Sequence, residues 1–571
     1  MKFGMIVNGY PGQHIGYFLP RQNISFLSNH TKRENVIKDE LERTEGESLI
    51  EIKSMTVFLV LLNYMECANI LYVIPFSSPS HNILLRPIGV ELARRGHNVT
   101  VITSIREKDP PPNYREVMVD DRMIWDLIGG ERPNVFSMVN MPAEDFHHKI
   151  LWAGGVAYTE LTLNSTDVKN FLKEDHNFDL VISEQFFQEA LYVLAHKYNT
   201  PLVLISTFGN CMRHNIVNRN PLQLSTVVPE YLDLMDISSF WGRLRNVYFT
   251  TYEYLWWRFV YLKQQEKLVK QYLPDLPQPV PSLYSLQENV SLMLINSHFS
   301  FDTPAALLPN IVEIGGIHLS RSNTSLPKDL QKLMDESVHG VVYVSFGSNA
   351  RSSELAIEKK RAFINAFKKL KQTVLWKWED DKFEDKPNNI ETRKWFPQKE
   401  ILAHPNIKVF ISHGGLIGTQ EAIFNGVPLI GVPIYADQYN NLLLAQEAGF
   451  GKILQYHEIN EVTLENILQE VLNNESYVIR SKEMSRKFKD RPMSALDTAM
   501  FWIEYVIRNK GAEYMKNPAR NISWIAYSMI DVYIFIITLF ITVIAVFIIL
   551  VRSVLKVLSH KHDLKNDKKR L

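Results

Sequence analysis

The sequence predicts an α/β protein: two α/β halves whose strand-end rims face a cleft, followed by one helix that crosses a membrane. Three observations carry that prediction. An apolar run at Ile70–Phe76 leads through a small-residue turn into a helical stretch that stops at Gly96, and a second buried-strand run follows at Val99–Ile102. A second α/β series begins at Val341–Ser348, and the order of strand, turn and helix returns within Trp395–Gln438, where Ile407–Ile411 enters Ser412-His413-Gly414-Gly415 and a helical segment follows that is stopped by Asn425-Gly426. Val532–Val551 is twenty residues without a charge, about 30 Å of helix at 1.5 Å per residue, the thickness of a hydrocarbon core.

Composition narrows the classes further. A chain of 571 residues holds roughly three or four units on a ~150-residue prior, or two large ones. Lys plus Arg number 62 and so do Asp plus Glu, so no charge excess points to nucleic acid. Two cysteines, Cys67 and Cys211, exclude a disulfide framework and a zinc cluster.

Taken in order, residues 1–54 are polar and aperiodic, expected to be disordered or absent from the mature protein. Lys53-Ser54-Met55 opens an apolar run, Val57–Leu62, that ends in Cys67-Ala68. Residues 55–68 therefore read as a signal peptide, with a buried strand as the alternative. Sequons at Asn98, Asn164, Asn289 and Asn474, among others, permit glycosylation. His81 is read on the turn after the first strand, where open α/β sheets place ligands, with the helix from Ile83 to Arg95 kinked at or beginning near Pro87. Glu184 lies just past the strand Phe178–Ser183 and shares that rim. Each alone is more often structural than functional. Phe240–Leu262, dense in Trp, Tyr and Phe, reads as a buried helical hairpin; an acceptor wall or a membrane contact is the minority reading. Asn310–Lys328 reads as a linker, and about Leu496–Arg508 as an amphipathic helix.

After the apolar run, Arg552, Lys556, Lys561, Lys565, Lys568, Lys569 and Arg570 stand against Asp563 and Asp567. The positive-inside bias puts this tail in the cytosol and both halves in the lumen. Lys568-Lys569 resembles a dilysine retrieval signal of the endoplasmic reticulum membrane; a plain stop-transfer tail is the alternative.

The glycine turn carries the chemistry. Gly414 and Gly415 let backbone approach a ligand closely, and free N–H groups of the next helix's first turn favour an anion, for which a diphosphate is the natural guest. Alone, such a turn is most often an ordinary βαβ connection. Its flanks make it specific: Trp395-x-Pro397-Gln398, His413-Gly414-Gly415, Glu421-Ala422, Gly426-Val427-Pro428 and Asp437-Gln438. At these spacings they resemble the signature of the UDP-glycosyltransferase family. Its animal membrane-bound branch is matched also by Asp490-Arg491-Pro492, Phe501-Trp502-Ile503-Glu504 and Gly511-Ala512.

That resemblance implies a GT-B architecture of two Rossmann-like domains: an acceptor domain at residues 69–325, a UDP-sugar domain at 326–489, a helix returning to the first domain at 490–523, a membrane segment at 524–551 with its core at 532–551, and a basic tail at 552–571. It implies that Trp395 stacks on uracil with Gln398 beside it, and that Glu421 accepts from the ribose. Ser345, Gly347, Ser348, His413, Gly414 and Gly415 would hold the diphosphate. Lys377 stands where vertebrate relatives carry an arginine, keeping the charge and losing the bidentate fork. Asp437 and Gln438 would bind the sugar, and Ile417 replaces an asparagine that helps bind the donor in vertebrate members. In the first half, His81 falls at the catalytic base, and Glu184 where many members have the aspartate that orients it.

The implied reaction is inverting transfer of a hexose from a UDP-sugar to a hydroxyl of a small lipophilic acceptor. No D-x-D pair occurs, so no metal or other cofactor is expected. The wording of the donor stretch is closer to invertebrate members, which mostly use UDP-glucose. The expected partners are the donor, the acceptor and the bilayer, without nucleic acid; a homo-oligomer is left open. The rival is a non-catalytic, membrane-anchored binder of UDP-sugar or hydrophobic ligand. A dinucleotide oxidoreductase fails for want of G-x-G-x-x-G after a strand.

Overall fold

A computed structural model of the protein describes residues 67–119, 134–139, 141–232, 236–319, 325–383 and 386–567. The signal-peptide expectation, apart from Cys67 and Ala68, the extension before it, and Lys568-Lys569 lie outside these residues.

Among the described residues the first half has seven strands: β1 (Asn69–Ile74), β2 (Asn98–Thr103), β3 (Tyr114–Met118), β4 (Leu180–Glu184), β5 (Leu202–Ser206), β6 (Leu292–Ile295) and β7 (Ile311–Glu313). They pair in parallel in the order β3-β2-β1-β4-β5-β6-β7. The second half has six: β8 (Val341–Ser345), β9 (Thr373–Lys377), β10 (Ile390–Arg393), β11 (Ile407–Ser412), β12 (Leu429–Gly431) and β13 (Gly451–Ile453), in the order β10-β9-β8-β11-β12-β13. Both are doubly wound sheets. The strand order reverses between β1 and β4 and between β8 and β11, and ligands of such sheets sit at the carboxyl ends of those strands. The central strands β4, β5 and β8 are buried along their whole length, as expected where helices cover both faces of a parallel sheet.

Six helices matter to the site and its setting. Helix α1 (Pro79–Arg94) follows β1, α2 (Phe240–Trp256) carries the aromatic stretch, α3 (Leu416–Asn425) follows β11, and α4 (Gln438–Glu447) begins after Asp437. Helix α5 (Ala495–Arg508) covers one face of the first sheet, its Leu496, Met500, Ile503 and Val506 packing with Ile70, Tyr72, Val203 and Leu292. Arg95 fastens it, at 2.9 Å from Asp497 and 3.2 Å from Glu504. Helix α6 (Ile530–Asp567) includes one stretch, Ile530–His562, long and apolar enough to cross a membrane.

Three expectations need correction. Helix α1 starts at Pro79, so His81 lies in its first turn and not on the preceding loop; a proline with its fixed φ starts a helix without losing a needed N–H. The aromatic stretch is no buried hairpin: α2 continues through a wide turn at Trp257–Tyr261 into the helix Leu262–Tyr272, and one side of it is bare. Residues 311–313, read as linker, form the edge strand β7.

Candidate functional site

The two switch points open onto one cavity of about 370 Å³. On the first half, the end of β1 and the start of α1 deliver His81, and the end of β4 delivers Glu184. His81 Nδ1 hydrogen-bonds Glu184 Oε1, and the Thr207 hydroxyl, one strand further, donates to the same oxygen at 3.4 Å. Glu184 is buried behind the ring and does not line the cavity; His81 does. Phe76 and Phe186 enclose the imidazole edge-on, with ring centroids at 4.8 and 4.6 Å. They continue into an aromatic wall with Phe146, Phe208 and Tyr231.

On the second half, two serine-glycine turns repeat one device. Ser345 closes β8 and accepts from Gly347 N–H at 3.4 Å; Ser412 closes β11 and accepts from Gly414 N–H at 3.2 Å. The His413 ring lies between the turns, so close that a Cβ on Gly347 or Gly415 would stand 2.6 or 2.7 Å from it. Burial, helped by the charge of Lys377, lowers His413 to about 4, so the ring is neutral near pH 7. Gly414 serves the turn and not the cavity wall: it has φ +86° and its Cβ side is filled by Leu442. Gly415 is the N-cap of α3, and no side chain caps that helix start, so its first N–H groups remain open to an anion.

Ser348, Lys377, Trp395, Gln398, Glu421, Asp437 and Gln438 line the same cavity. Lys377 is already engaged, its Nζ donating to Gly347 O at 2.9 Å and to Glu379 at 2.8 Å. Trp395 is 57% exposed, with Lys377 Nζ 5.6 Å from its ring centroid. Gln398 donates to Glu421 Oε2 at 2.5 Å and accepts from Tyr343 at 3.2 Å. Burial lifts the Glu421 carboxyl to about 7 against that hydrogen bond. Burial likewise lifts Asp437 to about 6, opposed by the Asn441 amide and, across the cleft, by the charge of His81. Gln438 spends its carbonyl on the backbone N–H groups of Ile434 and Tyr435 at 2.9 and 3.1 Å, which leaves its amide N–H free to donate. Ile417 lines the cavity and packs on the first half's core, an apolar contact between halves.

Sequence reasoning passed over His318. It comes from the link between halves, which is pinned to the second half by Gln420 to Gly316 N–H at 3.0 Å and by Lys399 to His318 O at 2.9 Å. Its side chain lines the cavity, with Glu421 Oε1 3.9 Å from Nε2 and neither ring nitrogen at hydrogen-bonding geometry with a partner. Burial first, then Lys399, lowers it to about 3. The signal available in the sequence was its place two residues after Gly315-Gly316.

Two doubly wound sheets whose switch points share one cavity define the GT-B class of glycosyltransferase fold. Solved structures agree: a glycotransferase of kitacinnamycin superposes with TM-score 0.52 at 17% identity over 77% of this chain and 100% of its own. A UDP-glucose:anthocyanidin 3-O-glucosyltransferase in complex with UDP gives 0.51 at 15% identity over 77% and 99%. Residues 154–565 match the family model described as UDP-glucoronosyl and UDP-glucosyl transferase, and the chain belongs to that family. It is 36% identical to UDP-glycosyltransferase UGT5 of Dactylopius coccus over 86% of this chain and 93% of that one. It is 28% identical to human UDP-glucuronosyltransferase 2B15 over 81% and 89%. The protein is a UDP-glycosyltransferase, an enzyme that transfers sugar from a UDP-sugar.

Proposed function

We propose that the protein transfers glucose from UDP-glucose, with inversion, to a hydroxyl of a small lipophilic acceptor, as a conjugation or detoxification reaction. Its setting in this reading is the endoplasmic reticulum membrane, with α6 as anchor, both halves luminal and the tail cytosolic. The carrying observation is that His81, held from behind by Glu184, and the Asp437–Gln438 pair face one cavity from opposite halves.

In this reading the Trp395 ring stacks on uracil beside Gln398, and Glu421 accepts from ribose hydroxyls. The diphosphate lies against the first turn of α3, the turns at Ser345-Phe346-Gly347-Ser348 and His413-Gly414-Gly415, and the charge of Lys377. Asp437 accepts from sugar hydroxyls and the Gln438 amide donates to them. With Nδ1 held by Glu184, His81 Nε2 takes the proton of the acceptor hydroxyl. The acceptor oxygen bonds to the anomeric carbon from the face opposite UDP, while the bond from that carbon to the diphosphate oxygen breaks and its electron pair leaves with UDP. Glu184 stabilises the imidazolium. No metal is assigned a part in this reading: backbone N–H groups and His413 meet the diphosphate.

Glucose is favoured over glucuronate by charge. The cavity's lysines, Lys377 and Lys399, stand with the nucleotide residues, whereas Asp437 at the sugar end already feels the charge of Glu230. A sugar carboxylate there meets repulsion. The aromatic wall beyond His81 suits an apolar acceptor. Membranes containing the protein, given labelled UDP-glucose or UDP-glucuronate and a panel of phenols, should form β-glucoside and little glucuronide. His81→Ala should abolish transfer and keep UDP-sugar binding. Donor binding without any product, or an α-linked product, would sink the reading.

A further inference from the structure

His318 is a polar ring sealed into the joint between the halves. Its side chain is 1% exposed, and among the described residues neither ring nitrogen meets a partner at hydrogen-bonding geometry. A buried N–H left unpaired is costly, and both nitrogens are closed to solvent, so water does not relieve it. Burial, with the charge of Lys399, keeps the ring neutral, so it carries one N–H and one lone pair. The Ile417 backbone, in the first turn of α3, bears on the ring. The charged side chain that faces it is Glu421, with Oε1 3.9 Å from Nε2.

Glu421 is held at one oxygen only. Gln398 donates to Oε2 at 2.5 Å, and Oε1 is the oxygen turned to His318. The ring, in contrast, is firmly placed. Arg491 donates to Gly315 O at 3.0 Å, Gly316 N–H to Gln420 at 3.0 Å, and Lys399 to His318 O at 2.9 Å. Gln420 also donates to Asn296 O, just past β6 in the first half, at 3.1 Å. Ile317 is buried in the first half's core. One residue of the link thus belongs to the first half, and the next turns its ring to the second.

We infer that His318 is a positioning residue for the nucleotide: with its hydrogen on Nε2, it donates to Glu421 Oε1 when the donor is bound and fixes the carboxylate that accepts the ribose hydroxyls. A closing movement of about 1 Å takes the pair from 3.9 Å into the ~2.7–2.9 Å range of a charge-assisted hydrogen bond. An ionised carboxylate selects the Nε2–H tautomer, because the bare lone pair would otherwise face it. Gln398 and His318 then grip one oxygen each, and the remaining lone pairs stay open to the ribose. The inference rests on the reading of Glu421 as the ribose acceptor. It makes the ribose subsite answer to how the halves are seated, since the ring moves with the link.

The test compares His318→Gln, which keeps an N–H donor near the place of Nε2, with His318→Met, of similar length and without one. Calorimetry on the full chain in phospholipid nanodiscs gives affinities for UDP and for 2′,3′-dideoxy-UDP; their ratio reads the ribose contacts. His318→Met should shrink that ratio by about tenfold and leave the affinity for the dideoxy nucleotide within about a factor of two. His318→Gln should keep the ratio within about threefold of the parent. In a Glu421→Gln background, where the ratio is already low, His318→Met should lower it no further. A ratio unchanged by His318→Met, or an equal loss of both nucleotides in the Gln and Met variants, overturns the inference, because the ring would then only pack the link. A further loss in the Glu421→Gln background overturns it too, since His318 would not be acting through Glu421. Should His318→Met fail to fold, His318→Leu against His318→Asn makes the same comparison. A parental ratio in Glu421→Gln alone is a distinct result: it removes the ribose reading itself, and the role of His318 falls with it.

Discussion

His81 Nδ1 and Glu184 Oε1 share a hydrogen bond across 103 residues of sequence, because β1 and β4 are parallel neighbours at the point where the strand order of the first sheet reverses. The contact fixes which nitrogen is left for the cavity. Glu184→Gln keeps the volume and removes the charge that supports an imidazolium. Turnover should fall by about 10²- to 10⁴-fold. UDP affinity, measured by calorimetry on the same preparation, should stay within roughly a factor of two. A matching loss of UDP affinity would make Glu184 a structural residue.

Glu421 should make donor binding depend on pH. Burial holds its carboxyl at about 7, and in the proposed reading the ionised form is the stronger acceptor for the ribose hydroxyls. UDP affinity should therefore fall as pH drops below about 7, approaching tenfold per pH unit well below it. Glu421→Gln should bind weakly with a flatter profile. An unchanged slope in that variant would assign the proton to another group.

In the proposed reading, Asp437 trades stability for sugar binding. Its folded carboxyl sits near about 6, above the ~3.9 of an unfolded chain. Its favourable contribution is complete below ~3.9 and lost as pH rises through about 6. Asp437→Asn should then raise Tm relative to the parent at about pH 8, with the gap closing toward about pH 4, and should lower transfer. Scanning fluorimetry at both pH values checks this; an equal gap at both would refute the linkage.

Gly347 has φ +83°, and a Cβ there would stand 2.6 Å from the His413 ring. An L-residue in that backbone region costs roughly 1–2 kcal/mol before any displacement of the ring. Gly347→Ala should lower UDP affinity by about tenfold or more and Tm by about 2–4 °C. A variant with parental UDP affinity would show that the turn and His413 do not hold the nucleotide together.

Much of this was legible in the sequence, for local reasons. Ser345-Phe346-Gly347 and Ser412-His413-Gly414 announce strand ends because glycine is required there by backbone geometry, and α3 stops at Gly426 with φ 68° for the same reason. What escaped depends on distant packing. His318 faces the cavity only because Gln420 and Lys399 clamp the link between halves. In α2, rings count as apolar whichever way they point, so the period could not say that Phe249 is buried and Tyr248 bare. Pro79 reads equally as a turn residue or a helix start, and only the helix that continues through Pro87 decides it.

Helix α5 has a consequence for how the chain is made. The face of the first sheet that it covers, with Ile70, Tyr72 and Val203, is synthesised early, whereas Met500 and Ile503 come almost two hundred residues after β7. At ~5–20 residues per second that interval is roughly 10–40 s. Throughout it the first half has all its strands and one greasy flank without its cover. Chains halted anywhere before residue 495 share that defect, so a premature stop in the second half removes more than the donor site: it leaves the acceptor half sticky, short of its last wall and a natural client for chaperones.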